Sequence, residues 1–374
     1  MSAAYLGCTL QGGLLLCRGF GPRSHVRKSS MKRIVLIIAV IVVVSGLVAS
    51  AAFGQAKLAQ TGFNFLSVGT DARATAMGEA FTTIEGSSTS LFYNPAGLAG
   101  INTTVDLSLS QMKWIADIKY LSGAVAFTPF EGRYGVIGVS FMSIAYGDFN
   151  FTQVAANEQG YQDVQGWPAP SAYVVGVGYG RALSDQFSIG GQVKYAHQSL
   201  GQSLVPVYTT FVDNSGKAQR DTTYDMRDYA VGVLAFDFGT MFKTGLKSLA
   251  FGVAVTNFAP EVKYERESFQ LPLSFKIGIS MNLLDLVPGI GEDHAFYASI
   301  DAVHPRSYDE YLNIGGEYVF SKTIFLRVGY ITKHPDYSLT AGLGVQKAGI
   351  AVDYSIMPHN IFNNVQRISV KFAM

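Results

Sequence analysis

The sequence predicts an all-β membrane protein, namely a closed antiparallel transmembrane β-barrel of about 14 strands with a small N-terminal helical plug. Three observations support this prediction. Apolar and polar residues alternate along one segment after another from Ile101 onward, which is typical of strands with one apolar and one polar face. The connections between these segments are sorted by length. Only 15% of the residues are charged, whereas a soluble domain carries about a quarter.

The chain begins with a region that we do not expect in the mature protein. Residues 1–30 have no structural pattern, and we expect them to be a mis-annotated extension because Met31, Lys32 and Arg33 open an ordinary secretory signal. Residues 31–56 are the predicted signal peptide, with cleavage after Ala52 or Ala56. A retained helical anchor is the alternative, but the uninterrupted apolar run is shorter than the roughly 20 residues of a membrane span.

Residues 57–100 are predicted to form the plug, which lies in the barrel or at its mouth. Short helices are expected at 73–81 and 89–93, the second ended by the step from Asn94 to Pro95. The plug contains a compact turn at residues 94–97. Two interpretations of this turn stay open: a gate that shifts to admit or release cargo, or a rigid stop that seats the plug against the barrel wall. Asp71 and Arg73 are expected to bond to lumen side chains such as Lys276 or Glu317. The gate candidates are Arg73, Met77, Gly78, Asn94, Pro95, Ala96 and Gly97.

Residues 101–374 are predicted to form the barrel. The short connections at 128–132, 182–185, 321–322 and 347 all fall at one end, and the long ones at 147–170 and 201–225 fall at the other, as in outer-membrane barrels. Arg327 is a misfit because it shares a face with Phe325 and Ile331. A soluble sheet with one wet face is the alternative, but it would need a large apolar partner layer. The expected strands are 101–110, 119–128, 133–146, 171–183, 186–199, 226–238, 248–258, 271–284, 294–303, 310–320, 323–332, 337–346, 348–356 and 365–374.

Charged and small residues follow the same alternation. Charges on the polar faces should line the lumen, since a basic side chain facing lipid at mid-membrane costs about 2–4 kcal/mol. Gly176, Gly178 and Gly180 lie inside a strand, so they are expected to make room for the plug or for strand bending rather than to bind a cofactor. The charges expected in the lumen are Asp106, Lys194, Lys276, Glu317, Asp353 and Lys371.

Two stretches carry a family resemblance. GFNFLSVGTDARATAMGEAF followed by SLFYNPAGLAG, together with VDYSIMPHNIFNNVQRISVKF near the C-terminus, resembles the PorV/PorQ family of outer-membrane barrels. That family is similar to the FadL transporters of hydrophobic compounds. The resemblance implies a barrel of about 14 strands with an N-terminal plug and, for PorV, a part in type IX protein secretion. The last strand, with Ile368, Val370 and Phe372, resembles the C-terminal assembly signal of such barrels.

No enzymatic constellation is found in the sequence. The histidines show no metal-ligand spacing, Cys8 and Cys17 both precede the predicted cleavage site, and no nucleophile elbow or phosphate loop occurs. Asp301 and His304 could be drawn as an acid–base pair, but chance proximity is the better explanation. We therefore expect no enzyme, cofactor or metal, and nothing in the charge balance favours nucleic acid as a partner.

Two functions of different classes remain, both in the outer membrane of a Gram-negative type of cell with its lipid as partner. The first is an accessory or shuttle barrel of type IX secretion, which contacts secretion components or cargo proteins through long extracellular loops. The alternative is a FadL-like transporter of small hydrophobic compounds. A plain diffusion pore is third, because a barrel of this strand number is narrower than the open porins and the plug would fill it further.

Overall fold

The structure, a computed structural model, describes residues 61–147, 149–154, 160–164, 166–265, 267–287, 293–333 and 338–374. The predicted extension (1–30), the predicted signal peptide (31–56) and the first four residues of the predicted plug lie outside the described residues. No helix among the described residues is both long and apolar enough to cross a membrane.

The described chain forms a closed antiparallel barrel of 14 strands, which confirms the predicted fold. In chain order the strands are β1 (Val105–Lys113), β2 (Lys119–Phe127), β3 (Val136–Ala145), β4 (Phe151–Val154), β5 (Tyr161–Val164), β6 (Ser171–Ala182), β7 (Phe187–Val212), β8 (Ala218–Lys243), β9 (Ala250–Phe258), β10 (Val262–Lys263), β11 (Ser268–Phe269), β12 (Ser274–Asn282), β13 (His294–Pro305), β14 (Tyr311–Phe320), β15 (Ile324–Ile331), β16 (Leu339–Lys347), β17 (Ile350–Met357) and β18 (Val365–Ala373). Around the barrel the order is β1, β18, β17, β16, β15, β14, β13, β12, β9, β8, β7, β6, β3 and β2, while β4–β5 and β10–β11 are separate two-stranded sheets.

Alternation along the barrel strands places large apolar side chains on the outer surface and turns the alternate side chains, many of them polar or small, into the lumen. In β17, Ile350 and Val352 are exposed on the outer surface, whereas Ala351 and Asp353 face the lumen and are buried. Arg327 obeys the same rule and is not a misfit. It points into the lumen with Ile331, while Leu326 and Val328 are exposed outside. The outward band of large apolar residues is the surface that such a barrel presents to lipid.

The two ends of the barrel differ in their connections. At the end we call the turn end, β2–β3, β6–β7, β14–β15 and β16–β17 are joined by short segments. At the opposite end, the loop end, β3 leads to β6 through the β4–β5 sheet, and β9 leads to β12 through the β10–β11 sheet. Thr61 lies at the loop end, where it bridges to Gln270. The plug then crosses the lumen to Gly100, just before β1 begins at the turn end.

Two strand predictions at the ends of the barrel were wrong. The segment 201–225 is not a loop, because β7 and β8 continue as paired strands to Val212 and Ala218, beyond a bulge between Ser199 and Gln202. Eleven residues past the bulge give the hairpin a length of roughly 35 Å. The first strand begins at Val105 rather than at residue 101, since Ile101 is buried with Leu98 of the plug instead of facing outward.

The plug contains short helices separated by turns. Helix α1 (Ala72–Ala76) begins at Asp71, whose side chain accepts a hydrogen bond from the Ala74 amide. It ends before the predicted residue 81 because Gly78 and Glu79 both have positive φ angles. Helix α2 (Ser90–Tyr93) ends at Asn94, as predicted. The described chain also has 3₁₀ helices at Asn64–Ser67, Pro95–Gly100, Ile115–Asp117, Pro129–Gly132 and Leu283–Leu286.

Candidate functional site

The plug turn that begins at Asn94 rests on a row of glycines in the barrel wall. Gly180, Gly190 and Gly239 pair directly across β6, β7 and β8, and we call them the first glycine row. A Cβ atom built on Gly190 would lie 2.3 Å from the carbonyl carbon of Pro95. Only residues without a side chain allow the plug backbone to approach the strands this closely. The 3₁₀ helix Pro95–Gly100 is therefore seated directly on the wall.

Asn94 fixes the start of this 3₁₀ helix. The Asn94 side chain is completely buried, and its Oδ1 accepts a hydrogen bond from the Ala96 amide at 3.1 Å. Its Nδ2 donates to the carbonyl oxygens of Thr82 at 2.7 Å and of Thr240 in the wall at 3.2 Å. Both polar atoms of the amide are thus bonded, as buried polar groups require. The arrangement holds the turn in place in this conformation.

A second glycine row, Gly315 and Gly329, supports the end of α1. These residues pair across β14 and β15, and β13, β12 and β9 separate them from the first row on one side of the barrel. A Cβ atom on Gly329 would lie 2.0 Å from the Gly78 backbone nitrogen, and one on Gly315 would lie 2.5 Å from the Met77 carbonyl oxygen. The gate candidates of the sequence therefore occupy two separate contact points rather than one cluster.

A charged network ties α1 to the wall beside the second row. Arg73 donates two hydrogen bonds to Glu317, from Nε at 2.8 Å and from Nη2 at 2.7 Å. Arg327 contacts both Glu317 and Asp353 at 2.5 Å. Glu317 was one of the two partners expected for Arg73, and this pairing is confirmed. Since Glu317 and Arg327 are almost completely buried, each charge depends on its partners for stabilisation.

Two further wall carboxylates bind the plug through its backbone. Asp301 Oδ2 accepts hydrogen bonds from the amides of Phe81 and Thr82, both at 2.9 Å, and from the Thr82 hydroxyl at 2.7 Å. Asp106 accepts one from the Ser88 amide at 2.8 Å and pairs with Lys371 at 3.0 Å. Hydrogen bonds to ionised acceptors are roughly twice as strong as neutral ones. Asp301 is therefore a plug-binding residue, whereas His304 is exposed and contacts Glu310.

Asp71 does not bond to Lys276 or Glu317, so the expected wall contact of this residue was wrong. Its carboxylate instead caps α1 and is buried within the plug. Burial, followed by the nearby charge of Asp353, raises the pKa of Asp71 from 3.8 to about 6. The plug thus contains a carboxyl group whose ionisation is unfavourable in the folded protein.

An aromatic cavity of about 870 Å³ lies at the loop end of the lumen. The segment that precedes α1 forms one wall, and Phe63 stacks on Phe269 with ring centroids 6.0 Å apart. Trp114, Tyr120 and Tyr146, at the ends of β1, β2 and β3, form another wall. Phe63 and Phe65 of the first wall also belong to a buried apolar cluster that includes Met112, Ile144, Val174 and Met357. The volume is within the range of small-molecule sites, about 300–1,000 Å³.

Sequence reasoning did not find this cavity. Its walls come from segments that are far apart in the chain, and no local motif joins them. A weak signal was present, because two phenylalanines lie in GFNF before α1, and Trp114 and Tyr120 lie in and just after the connection between the first two expected strands. Two glycines of the 176–180 stretch do make room for the plug: Cβ atoms on Gly178 and Gly180 would meet Leu91 at 2.3 Å and Leu98 at 2.7 Å.

The remaining predicted site residues lie elsewhere. Ile368, Val370 and Phe372 are exposed on the outer face of β18, away from the plug contacts. Their role as an assembly signal stays a prediction. The described residues contain no group of three or more His, Cys, Asp and Glu side chains that could hold a metal ion.

Comparison with known proteins identifies solved structures of the same architecture. No protein-family model and no curated protein sequence matches the chain. The crystal structure of the Ralstonia pickettii toluene transporter TbuX is similar, with a TM-score of 0.53, 12% sequence identity, and coverage of 82% of this chain and 98% of TbuX. The CymD monoaromatic hydrocarbon channel gives the same TM-score, identity and coverage. At this identity the similarity establishes the fold alone.

Proposed function

We propose that this chain is an outer-membrane transporter for small hydrophobic compounds, with its loop end outside the cell. The observation that carries the proposal is the aromatic cavity, which lies between the loop end and the seated plug and is large enough for a monoaromatic or similar small molecule. The outward band of apolar side chains supports a place in the membrane. The likeness to barrels described as a toluene transporter and a monoaromatic hydrocarbon channel agrees with this cargo class.

The seated plug favours gated transport over a plain diffusion pore. The plug backbone lies directly on both glycine rows. The wall carboxylates of Asp106 and Asp301 bind backbone amides of the plug, and that of Glu317 binds the Arg73 side chain. Cargo that reaches the cavity must then wait for part of the plug to shift. In this proposal Arg73, Met77 and Gly78 form one contact that can open, and Asn94–Gly97 form the other.

A pair of matched variants tests the transport proposal. Val68→Trp places a large side chain in the cavity wall, whereas Val177→Trp places the same side chain on the outer surface, where Val177 is 56% exposed. Toluene uptake into cells that produce each variant in the outer membrane is the measurement. We expect the V68W variant to lose uptake and the V177W variant to retain it. Equal uptake by both variants would refute the proposal.

A specific observation keeps the type IX secretion role as a second candidate function. The β7–β8 hairpin projects beyond the barrel wall and carries exposed Tyr208, Phe211, Tyr224 and Met226, which a protein partner could contact. The plug sequence resembles the PorV/PorQ family. Replacing residues 203–227 with an Asn-Gly turn tests this role. Retention of cargo proteins that carry type IX sorting domains, with the variant still assembled in the outer membrane, would support the secretion role, and unchanged secretion of these proteins would refute it.

A further inference from the structure

Four neutral polar side chains meet in the wall of the aromatic cavity. Tyr120, Tyr146, Gln198 and Tyr264 all line it, although they come from β2, the end of β3, β7 and the segment after β10. Tyr120 pairs with Ile144 across β2 and β3, so Tyr146 is its diagonal neighbour on the same face. The Gln198 Nε2 donates to the Tyr146 hydroxyl at 3.4 Å, and the Tyr264 hydroxyl donates to the backbone carbonyl oxygen of Gln198 at 3.5 Å.

The hydrogen-bonding capacity of this group is largely unused. The two bonds inside it are at the long limit for hydrogen bonds, so they satisfy their donors weakly. Within the described part of the chain, the Tyr120 hydroxyl has no hydrogen-bond partner, and the Tyr146 hydroxyl accepts a bond but has no acceptor for its own proton. A hydroxyl can both donate and accept, which leaves several sites for a ligand.

The charges near the cavity argue against an acidic ligand. The carboxylate-bearing residue Glu267 is exposed and lines the cavity. Among the described residues no cationic side chain lines the cavity, and Arg367 of the lumen wall is not part of the lining. It lies against the Trp114 ring, 5.6 Å from the centroid, and its Nε donates to the Gly69 carbonyl oxygen at 3.2 Å. The cavity therefore offers neutral hydrogen-bonding groups together with a negative side chain.

Building on the proposed transport function, we propose that the cavity selects uncharged amphipathic molecules, with one hydrogen-bonding group on a small apolar body, as in a phenol or an aromatic alcohol. The aromatic walls hold the apolar body, and Tyr120, Tyr146 and Gln198 bind the hydroxyl. A hydrocarbon would fill the same volume but leave these groups unpaired. Sites built to bind a hydroxyl discriminate against ligands that lack one for this reason.

Three ligands of similar shape test the proposal: p-cresol, p-xylene and p-toluate differ in one substituent, a hydroxyl, a methyl or a carboxylate. Binding to the purified full barrel in detergent is measured by calorimetry, and the heat recorded with the V68W variant is subtracted as partition into micelles. We expect p-cresol to bind at least about fivefold more tightly than p-xylene, equivalent to one hydrogen bond. We expect p-toluate to bind least.

Tyr→Phe variants then show which hydroxyl groups produce the preference for p-cresol. The double variant Y120F/Y146F should lose the preference for p-cresol while its affinity for p-xylene is unchanged. Y173F, on the outer surface, is the matched control and should alter neither affinity. A p-xylene affinity equal to that of p-cresol, or tightest binding of p-toluate, would overturn the selectivity and leave the transport proposal standing. Failure of all three ligands to bind would overturn both proposals.

Discussion

The lumen has two halves that use the same inward-facing strand positions in opposite ways. Toward the turn end, the first glycine row and Asp106 of the wall contact the backbone of the plug directly. Toward the loop end, tyrosine, tryptophan and phenylalanine side chains leave a space of about 870 Å³. The comparison shows that holding a plug needs small residues and charges, whereas holding cargo needs aromatic side chains that do not fill the volume.

The largest expected effect comes from removing the buried charge of Glu317. In the E317Q variant Arg73 and Arg327 lose their common partner, and breaking a buried ion pair in this way costs about 3–5 kcal/mol. We expect a lower midpoint of thermal unfolding in detergent and faster proteolysis of the plug.

Glu265→Gln is the matched control for Glu317→Gln. Glu265 pairs with Arg227 at 3.1 Å, but both side chains are exposed, so the same substitution should leave the unfolding midpoint unchanged. Equal shifts in the two variants would show that the charged network does not stabilise the seated plug.

The second-largest expected effect is the pH dependence that Asp71 gives to the free energy of unfolding. Because the folded protein raises the pKa of Asp71 to about 6, it binds the proton more tightly than the unfolded chain does. The contribution of Asp71 to the free energy of unfolding is therefore complete below pH 3.8 and falls as the pH rises through 6, by at most about 3 kcal/mol.

Asp71→Asn isolates this contribution, since Asn is an equally good N-cap residue and does not ionise. The difference in unfolding midpoint between the D71N variant and the wild-type protein should grow from pH 4 to pH 7 and favour the variant. A difference in unfolding midpoint that is independent of pH would contradict the raised pKa of Asp71.

The smallest of the three effects concerns the first glycine row. Gly190→Ala adds a methyl group that would meet the Pro95 backbone, and overpacking of this kind costs about 1–3 kcal/mol. The neighbouring Gly191 faces outward, and its Cβ would find nothing closer than 3.5 Å. Gly191→Ala should change the free energy of unfolding by less than about 0.5 kcal/mol. If G190A were as stable as G191A, the plug would not be seated on the row.

The fold was predictable because the period of two is a local property of the sequence. All 14 barrel strands were predicted, and the face to which Asp353 or Glu317 belongs follows from counting residues. The β7–β8 extension was missed because Thr and charged residues interrupt the alternation outside the membrane, where neither face must be apolar. Sequence reasoning also named Glu317, together with Lys276, as an expected lumen partner of Arg73, and Arg73 does contact Glu317.

The details of the site were less predictable because they depend on contacts between distant segments. Asp301 binds amides of Phe81 and Thr82, which no spacing in the sequence indicates. The same applies to Gly190, whose neighbour Gly191 is identical in type and faces the opposite way. The aromatic cavity is a space between side chains, and alternation specifies the direction of a side chain but not the volume left between neighbours.

The pairing of β1 with β18 determines when the cylinder can close. Val105 and Met374 exchange two backbone hydrogen bonds, and β1 pairs with β18 along its length, so the seam joins the first barrel strand to the last. Closure therefore depends on contacts of very long sequence separation, and such contacts form slowly. Because the plug precedes every barrel strand and contacts strands on both sides of the lumen, we expect it to be enclosed as this seam closes rather than inserted afterwards.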